Sequence, residues 1–314
     1  MRFTAFLGLC LALSMIFTPL ISIRVPIKTV STAQTVSATK ASTSVKEEKI
    51  TIKRSNSGKK ETLTMRDYIV GVVSAEISPI YSDEAIKAQA VAAHTYALYQ
   101  LSANVQLTDD YTKHQGYISP EESREKWGDK YEIYSEKITS LTDEVIDKVI
   151  TYEGEIILPA YFALCSGKTE NCSDIWGGEK PYLVSVTSDG DALSENLIST
   201  VTVSKKDFIR FSGEDFSDFP VISLDCTKAG AVKTFSINGK NFSGNEIQSA
   251  FGLKSNNFTV KYENGSFIFT VTGNGHGVGM SQYGADFMAR QGATYEEILK
   301  HYYTGVEIEV IGKK

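Results

Sequence analysis

Residues 83–98 read DEAIKAQAVAAHTYAL, and this stretch has more influence on the fold than any other. Ser82 or Asp83 can cap a helix here, acidic residues fill its first turn, and alanine, the best helix former, dominates its body. So much alanine lets a neighbouring element pack very closely. We therefore predict a central helix, with Lys87 and His94 on one face, where each is either solvated or hydrogen-bonded at the rim of a core.

Alternating polar and apolar segments on both sides of this helix predict β-hairpins. Asn-Gly pairs at 238–239 and 264–265 lie between such segments, and Asn-Gly is a strong signal for a two-residue hairpin turn. The predicted strands are 50–53, 61–65, 149–152, 156–157, 234–237 and 267–271, and the apolar run 70–75 is also strand-like. Further helices are predicted over 138–149, over 280–290, and from a capping box of Thr294 and Glu297 to Gly305. Hairpins interleaved with helices, without regular β-α alternation, predict an α+β fold of mixed strands and hairpins with a central Ala-rich helix and C-terminal helices.

The N-terminal residues are strongly apolar. Residues 5–23 read AFLGLCLALSMIFTPLISI, which is long enough to span a bilayer core as one helix. A cleaved signal peptide is the competing interpretation, but its apolar region would be shorter and would end in small residues. We expect one uncleaved transmembrane anchor over 1–24, a solvated tether over 25–49, and an extracytoplasmic domain over 50–314 that is long enough for two lobes.

Charge and cysteine content exclude some classes of protein. The net charge is −6 and no run of Lys or Arg is present, so the sequence does not predict nucleic-acid binding. Cys10 lies in the apolar N-terminus, which leaves Cys165, Cys172 and Cys226 for the globular part. An odd number does not indicate a disulfide framework, and we favour free, partly buried thiols over a pair between Cys165 and Cys172.

Glu76 is the first candidate for chemistry. It follows the apolar run 70–75 and precedes Pro79, so its carboxylate leaves a hydrophobic segment and enters a loop. Partial burial there would raise its pKa, as a general acid near neutral pH requires. Position alone nevertheless favours the alternative that Glu76 caps the next helix or pairs with Lys87.

The second candidate is the glycine-rich stretch 273–285, which reads GNGHGVGMSQYGA. Its glycines allow the backbone to approach a ligand or another segment closely. His276 lies among them, and Ser281, Gln282 and Tyr283 follow at a predicted helix start. The stretch lacks the pattern of a phosphate-binding P-loop or of a zinc protease. A polar cleft with one imidazole and a purely structural turn remain two equal interpretations.

Three separated motifs resemble those of the stage II sporulation protein D (SpoIID) family, and the resemblance runs from about residue 50 to the end. The early motif is DYIVGVVSAE at 67–76 with EAIKAQAVAA at 84–93, and the late motif is GHGVGMSQYGA at 275–285. The middle motif is SGKTEN at 166–171, with WG at 176–177 and PYLVSV at 181–186. Because all three motifs occur in order, the resemblance is specific.

The resemblance implies roles for individual residues. Glu76 would be the catalytic acid of a cell-wall lytic transglycosylase, an enzyme that cleaves peptidoglycan glycan strands without water. Substrate-binding roles would fall on Lys87, His94, Ser166, Lys168, Thr169, His276, Ser281, Gln282 and Tyr283. His94 stands where the family usually has Arg, which weakens any cationic role there. Some members hold zinc with a Cys and His cluster, but the corresponding stretch 109–115, DDYTKHQ, has no Cys, so we predict no metal and no other cofactor.

The resemblance also implies a reaction and a cellular setting. Cleavage between N-acetylmuramic acid and N-acetylglucosamine would yield 1,6-anhydro-muramyl ends. The substrate would be glycan strands that have lost their stem peptides. The protein would lie in the membrane at the septum between mother cell and forespore, during engulfment. Its implied partners are an amidase and a membrane protein, stage II sporulation proteins P and M.

Two other classes of function remain open at the sequence level. The domain could be a non-catalytic glycan-binding scaffold of a wall-remodelling complex, in which Glu76 only hydrogen-bonds sugar. A protease that uses Cys165 or Cys172 with His276 is disfavoured, because the sequence shows no pattern of a general base for the thiol together with a residue that orients this base.

Overall fold

A computed structural model describes residues 47–216 and 219–311 of the chain. The predicted anchor over 1–24 and nearly all of the predicted tether lie outside the described residues. Within the described ranges, no helix is both long enough and apolar enough to cross a membrane.

The described residues form a mixture of helices and short strands, which confirms the predicted α+β class. The helices are α1 (Met65–Glu76), α2 (Asp83–Ser102), α3 (Pro120–Trp127), α4 (Tyr131–Val145), α5 (Cys172–Trp176), α6 (Lys205–Ser212), α7 (Gly244–Phe251), α8 (Gln282–Arg290) and α9 (Tyr295–Tyr302). The strands are β1 (Lys49–Lys53), β2 (Lys60–Thr64), β3 (Lys148–Tyr152), β4 (Glu155–Ile156), β5 (Tyr161–Phe162), β6 (Ile198–Ser204), β7 (Ile222–Cys226), β8 (Val232–Ile237), β9 (Lys240–Ser243), β10 (Phe258–Glu263), β11 (Ser266–Thr272), β12 (Met280–Ser281) and β13 (Glu307–Val310).

Helix α2 lies at the centre of the larger hydrophobic core, as its alanine content predicts. Its alanines at 85, 88, 90, 92, 93 and 97 are buried, and the helix packs against α1, α4, α8, α9 and β3. Small side chains on all sides permit this many close neighbours. Ser82 precedes the helix as predicted, but its side chain makes no capping hydrogen bond.

The strand-like run 70–75 is part of helix α1, so that prediction was wrong. Thr64 caps the helix by accepting a hydrogen bond from the Asp67 N–H at 3.1 Å. A short continuous apolar run cannot separate a buried strand from a buried helix. Packing decides here: a Cβ on Gly71 would lie 2.3 Å from the Tyr117 ring, so this glycine lets the 115–118 backbone run directly against α1.

The predicted helix 138–149 ends earlier than expected. Helix α4 stops at Val145, and β3 then pairs with β13 in an antiparallel sheet whose order is β13-β3-β4. The β-branched residues of β3 favour a strand. The Ile150 N–H also donates to the Thr95 Oγ1 at 3.0 Å, which ties the strand to α2. Here pairing with neighbouring elements overrides local helical periodicity.

Residues 198–272 enclose a second hydrophobic core. The sheets β10-β11-β6 and β7-β8-β9, with α6 and α7, bury Phe208, Phe235, Phe258, Phe267 and Phe269. Both predicted Asn-Gly hairpins are confirmed: Asn238 and Asn264 have positive φ and join β8 to β9 and β10 to β11. The chain enters and leaves this segment side by side, because the Gly273 N–H donates to the Leu197 carbonyl at 2.7 Å.

Candidate active site

Glu76 is the last residue of α1, and its carboxylate is held by a backbone donor. The Gly116 N–H donates a short hydrogen bond of 2.5 Å to Glu76 Oε1. Burial raises the pKa of the carboxyl group, while the Gly116 donor and the charge of Lys126 act in the opposite direction. A partly buried, oriented carboxyl group of this kind can deliver a proton and later take one back.

A chain of hydrogen bonds connects the loop beside Glu76 to β5. Tyr161 donates to Gln115 Oε1 at 2.8 Å, and Gln115 Nε2 in turn donates to the Tyr68 hydroxyl at 3.2 Å and to the Ala93 carbonyl at 3.1 Å. Gln115 immediately precedes Gly116. Burial and the negative charge of Glu76 raise the pKa of Tyr161, so this phenol is neutral and donates its proton to Gln115.

The glycine-rich stretch, which carries the late motif, lies against β5. Strand β12 pairs in parallel with β5, with Met280 opposite Tyr161. Gly279 has a φ of +81°, and a Cβ there would lie 2.1 Å from the Ala160 carbonyl oxygen. These glycines are therefore needed for close backbone contact, which leaves His276 beside Tyr161.

His276 is enclosed by aromatic rings. Its ring centroid lies 4.8 Å from that of Trp176 and 5.7 Å from that of Phe162. Its Nδ1 accepts from the Val278 N–H at 3.1 Å, and the ring also bonds to the backbone of Tyr161. Burial lowers its pKa to about 4, with the Tyr161 contact opposing that change. The imidazole is thus neutral at physiological pH, with a fixed orientation.

The predicted residues at the start of α8 point partly inward. Ser281 caps α8 and donates to Asp191 Oδ1 at 2.8 Å, and it is fully buried. Gln282 donates to Gln89 Oε1 at 3.2 Å, also in the interior. Tyr283 is partly exposed and makes an edge contact with Tyr81, with ring centroids 6.4 Å apart. Of these three, Tyr283 is the side chain with a surface open to a ligand.

Two other predicted residues lie away from Glu76. Lys87 forms ion pairs with Glu84 at 3.1 Å and Glu144 at 2.7 Å, so the predicted alternative that it pairs with Glu76 was wrong. His94 is completely buried and its Nδ1 lies 3.2 Å from the Lys148 carbonyl. The structure does not bring these two side chains to the carboxylate, and substrate contact by them stays a prediction.

The middle motif lies where the two hydrophobic cores meet. Ser166 donates to the Ala229 carbonyl at 3.0 Å, and Thr169 is buried and accepts from the Val186 N–H at 2.9 Å. Lys168 is exposed. The segment 166–171 belongs to none of the named helices or strands, and it leads directly into α5, which carries Trp176.

The cysteines of the described region are free thiols, as we favoured. Cys165 donates to Asp191 Oδ2 at 2.8 Å, and burial, together with that carboxylate, raises the pKa of the thiol. Burial also raises the pKa of Cys172. Both remain protonated near neutral pH, which argues against the cysteine protease interpretation because the thiolate is the nucleophile.

The stretch 109–115 does not fit a zinc site. Asp110 accepts hydrogen bonds from the Thr112 N–H and hydroxyl, and the Thr108 N–H donates to His114 Nδ1. These contacts engage the Asp110 carboxylate and the Nδ1 atom of His114 within the loop itself. In residues 47–216 and 219–311, no group of three or more His, Cys, Asp or Glu is placed to hold a metal ion.

Several residues around Glu76 were not predicted from the sequence. Gly116, Gln115 and Tyr161 belong to no chemical motif, and only the fold brings them to the carboxylate. Lys126 lies on α3, whose capping box of Ser119 and Glu122 could have been found from the S-P-E-E pattern at 119–122. Even then, the spacing would not have placed Lys126 beside α1.

Comparison with known proteins agrees with these motifs. A sequence model of the family described as "SpoIID: Stage II sporulation protein" matches residues 53–152. Stage II sporulation protein D of Bacillus amyloliquefaciens is 36% identical over 293 residues, which cover 88% of this chain and 84% of that protein. The chain belongs to the SpoIID family. Family membership places it in sporulation, and the family match covers α1, α2 and the Gly116 loop.

Two further relatives extend this family relationship. Stage II sporulation protein D of Bacillus subtilis strain 168 is 35% identical over 257 residues, which cover 79% of this chain and 75% of that protein. A more distant relative of the same organism, named amidase enhancer, is 26% identical over 297 residues, covering 76% of this chain and 40% of that protein. The similarity thus includes both hydrophobic cores of this SpoIID chain.

Burial of His94 predicts a pH dependence of stability. Burial lowers the pKa of His94 from 6.5 to about 4 in the folded state, so the unfolded state binds more protons between these pH values. The free energy of unfolding should therefore fall on acidification from pH 6.5 to 4, by roughly 3 kcal/mol from this residue. Urea unfolding at a series of pH values measures it, and a His94→Gln variant with an equally steep fall would contradict it.

Proposed function

We propose that this chain is a membrane-anchored peptidoglycan lytic transglycosylase that acts during engulfment, with Glu76 as its acid and base. The observation that carries the proposal is the Glu76 carboxyl group: it is oriented by the Gly116 N–H, its pKa is raised by burial, and Gln115, the residue before Gly116, accepts from the Tyr161 hydroxyl.

The surroundings of Glu76 favour an internal nucleophile. Hydrolytic glycosidases use two carboxyl groups, one of which activates water or forms a covalent intermediate. Lys126, a cation, donates to the carbonyls of Ser74 and Ala75 beside Glu76, and its charge lowers the pKa of that carboxyl group. A reaction that needs one carboxyl group is compatible with a cation at this position.

In the proposed reaction, Glu76 protonates the glycosidic oxygen, and the bond between this oxygen and the muramyl anomeric carbon breaks. The resulting carboxylate then takes the proton from the muramyl C6 hydroxyl, whose oxygen attacks the anomeric carbon and closes the 1,6-anhydro ring. Partial burial favours the protonated acid at the start. The Gly116 N–H and the Lys126 charge stabilise the carboxylate formed in the first half of the reaction.

Neighbouring groups supply substrate contacts. Trp176, which packs against His276, offers an aromatic face of the type on which sugar rings stack. Neutral His276 holds Trp176 and the backbone of Tyr161 in place. Among the residues predicted from sequence, His276 and Tyr283 have the positions best suited to line a glycan cleft. Ser281 and Gln282 are buried and would support the cleft through their hydrogen bonds to Asp191 and Gln89.

Product analysis tests the reaction type. Residues 25–314 are incubated with purified glycan strands, both intact and stripped of stem peptides, and the released material is analysed by mass spectrometry. We expect 1,6-anhydro-muramyl ends, with more release from the stripped strands. Products with free reducing ends would mean that water is the nucleophile and that the protein is a muramidase.

A scaffold function is the second candidate, and the relative named amidase enhancer is the observation in its favour. In that case the domain binds glycan and recruits an amidase to the wall at the septum, such as stage II sporulation protein P, without cleaving bonds itself. Glycan binding without release of products from either substrate would support this function over the transglycosylase.

A further inference from the structure

Arg54, which follows β1, is a nearly buried cation at the centre of an ion-pair cluster. Its side chain is 11% exposed, and its Nη2 lies 2.6 Å from both carboxylate oxygens of Glu122. Its Nε lies 3.1 Å from Asp109 Oδ2, and its guanidinium carbon lies 5.0 Å from the centre of the Tyr117 ring. One side chain therefore binds three points of the segment 107–127, which connects α2 to the end of α3.

Two routes lead from this cluster to Glu76. On the first, Tyr117 packs against Arg54 on one side and Gly71 of α1 on the other, and its neighbour Gly116 donates to the Glu76 carboxylate. This route from Arg54 to Glu76 is short, because Tyr117 and Gly116 are adjacent in the chain.

The second route passes through α3. Glu122 binds Arg54 and also accepts from the Ser119 N–H at 2.7 Å, so the same carboxylate closes the capping box that begins α3. One turn later, Lys126 Nζ donates to the carbonyls of Ser74 and Ala75 at 2.9 and 3.3 Å. Lys126 thereby caps the end of α1 next to Glu76.

We propose that Arg54 is a positioning residue for Glu76, fixing the segment 107–127 so that the Gly116 N–H and the Lys126 ammonium group stay beside the carboxylate. This inference rests on the proposed role of Glu76 as acid and base. Arg54 touches neither Glu76 nor substrate in this scheme. It acts because an ion pair between a nearly buried guanidinium group and both oxygens of a carboxylate is stronger and more directional than an ion pair between two exposed side chains.

Kinetics with Arg54→Gln test the proposal. Gly116 and Lys126 both stabilise the charged form of the Glu76 carboxyl group. Loss of the cluster should let them move away from it, so the pKa of Glu76 should rise. We expect kcat to fall about tenfold or more with KM little changed, and the alkaline limb of the pH–rate profile to move to higher pH. Arg54→Lys keeps the charge without the planar guanidinium group and should restore part of the activity.

Arg66→Gln is the matched control. Arg66 lies on α1 itself and makes a comparable two-point pair with Asp143 at 2.8 and 2.9 Å, but it does not contact the segment 107–127. It should lose some stability and keep the wild-type pH profile. Equal changes in both variants would reduce Arg54 to a general stabilising residue and overturn the proposal.

Amide hydrogen exchange at Gly116 separates this proposal from the proposed function. Faster exchange in Arg54→Gln than in Arg66→Gln supports the positioning role even if the wild type cleaves no glycan. Unchanged exchange together with unchanged kinetics overturns it. If Arg54→Gln does not fold, Glu122→Gln, which can still accept from the Ser119 N–H, gives the same comparison.

Discussion

Glu76→Gln is expected to abolish release of anhydro-muramyl products while leaving glycan binding intact. The amide keeps the shape of the side chain and can still accept from Gly116, but it cannot donate and recover a proton during the reaction. General acid–base catalysis typically contributes about 10²- to 10⁴-fold, so the rate should fall by about 10³-fold. Mass spectrometry of products, with binding to insoluble glycan measured on the same preparations, determines both quantities.

The variant should also be at least as stable as the wild type at neutral pH. Burial raises the pKa of Glu76, which means that the folded state disfavours the ionised form there, and a neutral amide removes that cost. Thermal unfolding at pH 7 measures this difference. An inactive variant with a strongly lowered melting temperature would show a folding defect and would not identify the acid.

Glu170→Gln is a suitable control for this experiment. Glu170 is also a buried carboxyl with a raised pKa, but it accepts from the Thr227 hydroxyl and the Ala231 N–H, where the two cores meet. Its replacement should leave product release within a few-fold of the wild type. Equal loss of activity in both variants would remove the special role of Glu76 as the acid.

Gly279→Ala is expected to have the largest effect on stability. The new Cβ would lie 2.1 Å from the Ala160 carbonyl oxygen, which already accepts from the Met280 N–H and the Tyr303 hydroxyl. Backbone must therefore move apart where β5 and β12 pair. We expect a loss of roughly 4 kcal/mol in the free energy of unfolding, measured by urea denaturation.

Gly292→Ala isolates the part of this loss that comes from backbone conformation. Gly292 has a φ of +98°, but nothing lies within 4 Å of a Cβ placed there. Conformational strain alone should cost about 1 to 2 kcal/mol. Similar losses in the two variants would mean that the contact with Ala160 is unimportant and that strain explains both results.

The sequence predicts the elements of this fold better than their partners. The Ala-rich helix, the N-terminal hairpin and both Asn-Gly turns depend on local signals, and all are present. The run 70–75 carries no such signal, because a buried helix and a buried strand are equally apolar. Its helical state depends on Thr64 and on contact with Tyr117, which comes from a distant part of the sequence.

The same distinction applies to the candidate site. Glu76 and His276 stand in recognisable motifs, and the structure connects them through Tyr161, Gln115 and Gly116. Gly116 contributes only a backbone N–H, which any residue type except proline also has, so no side-chain pattern can predict its role. Conversely, Lys87 has the appearance of a cleft residue, but the neighbouring acids on α2 and α4 bind it.

The hydrogen bond between Leu197 and Gly273 has a consequence for how this architecture can vary. Since the chain departs and returns at one point, the phenylalanine-rich segment is topologically an insertion. Its hairpin turns can therefore change in length as long as Ala229 and Lys254 keep their hydrogen bonds to Ser166 and Gly275. We expect most length differences among homologues in the second half of the domain to fall between Leu197 and Gly273.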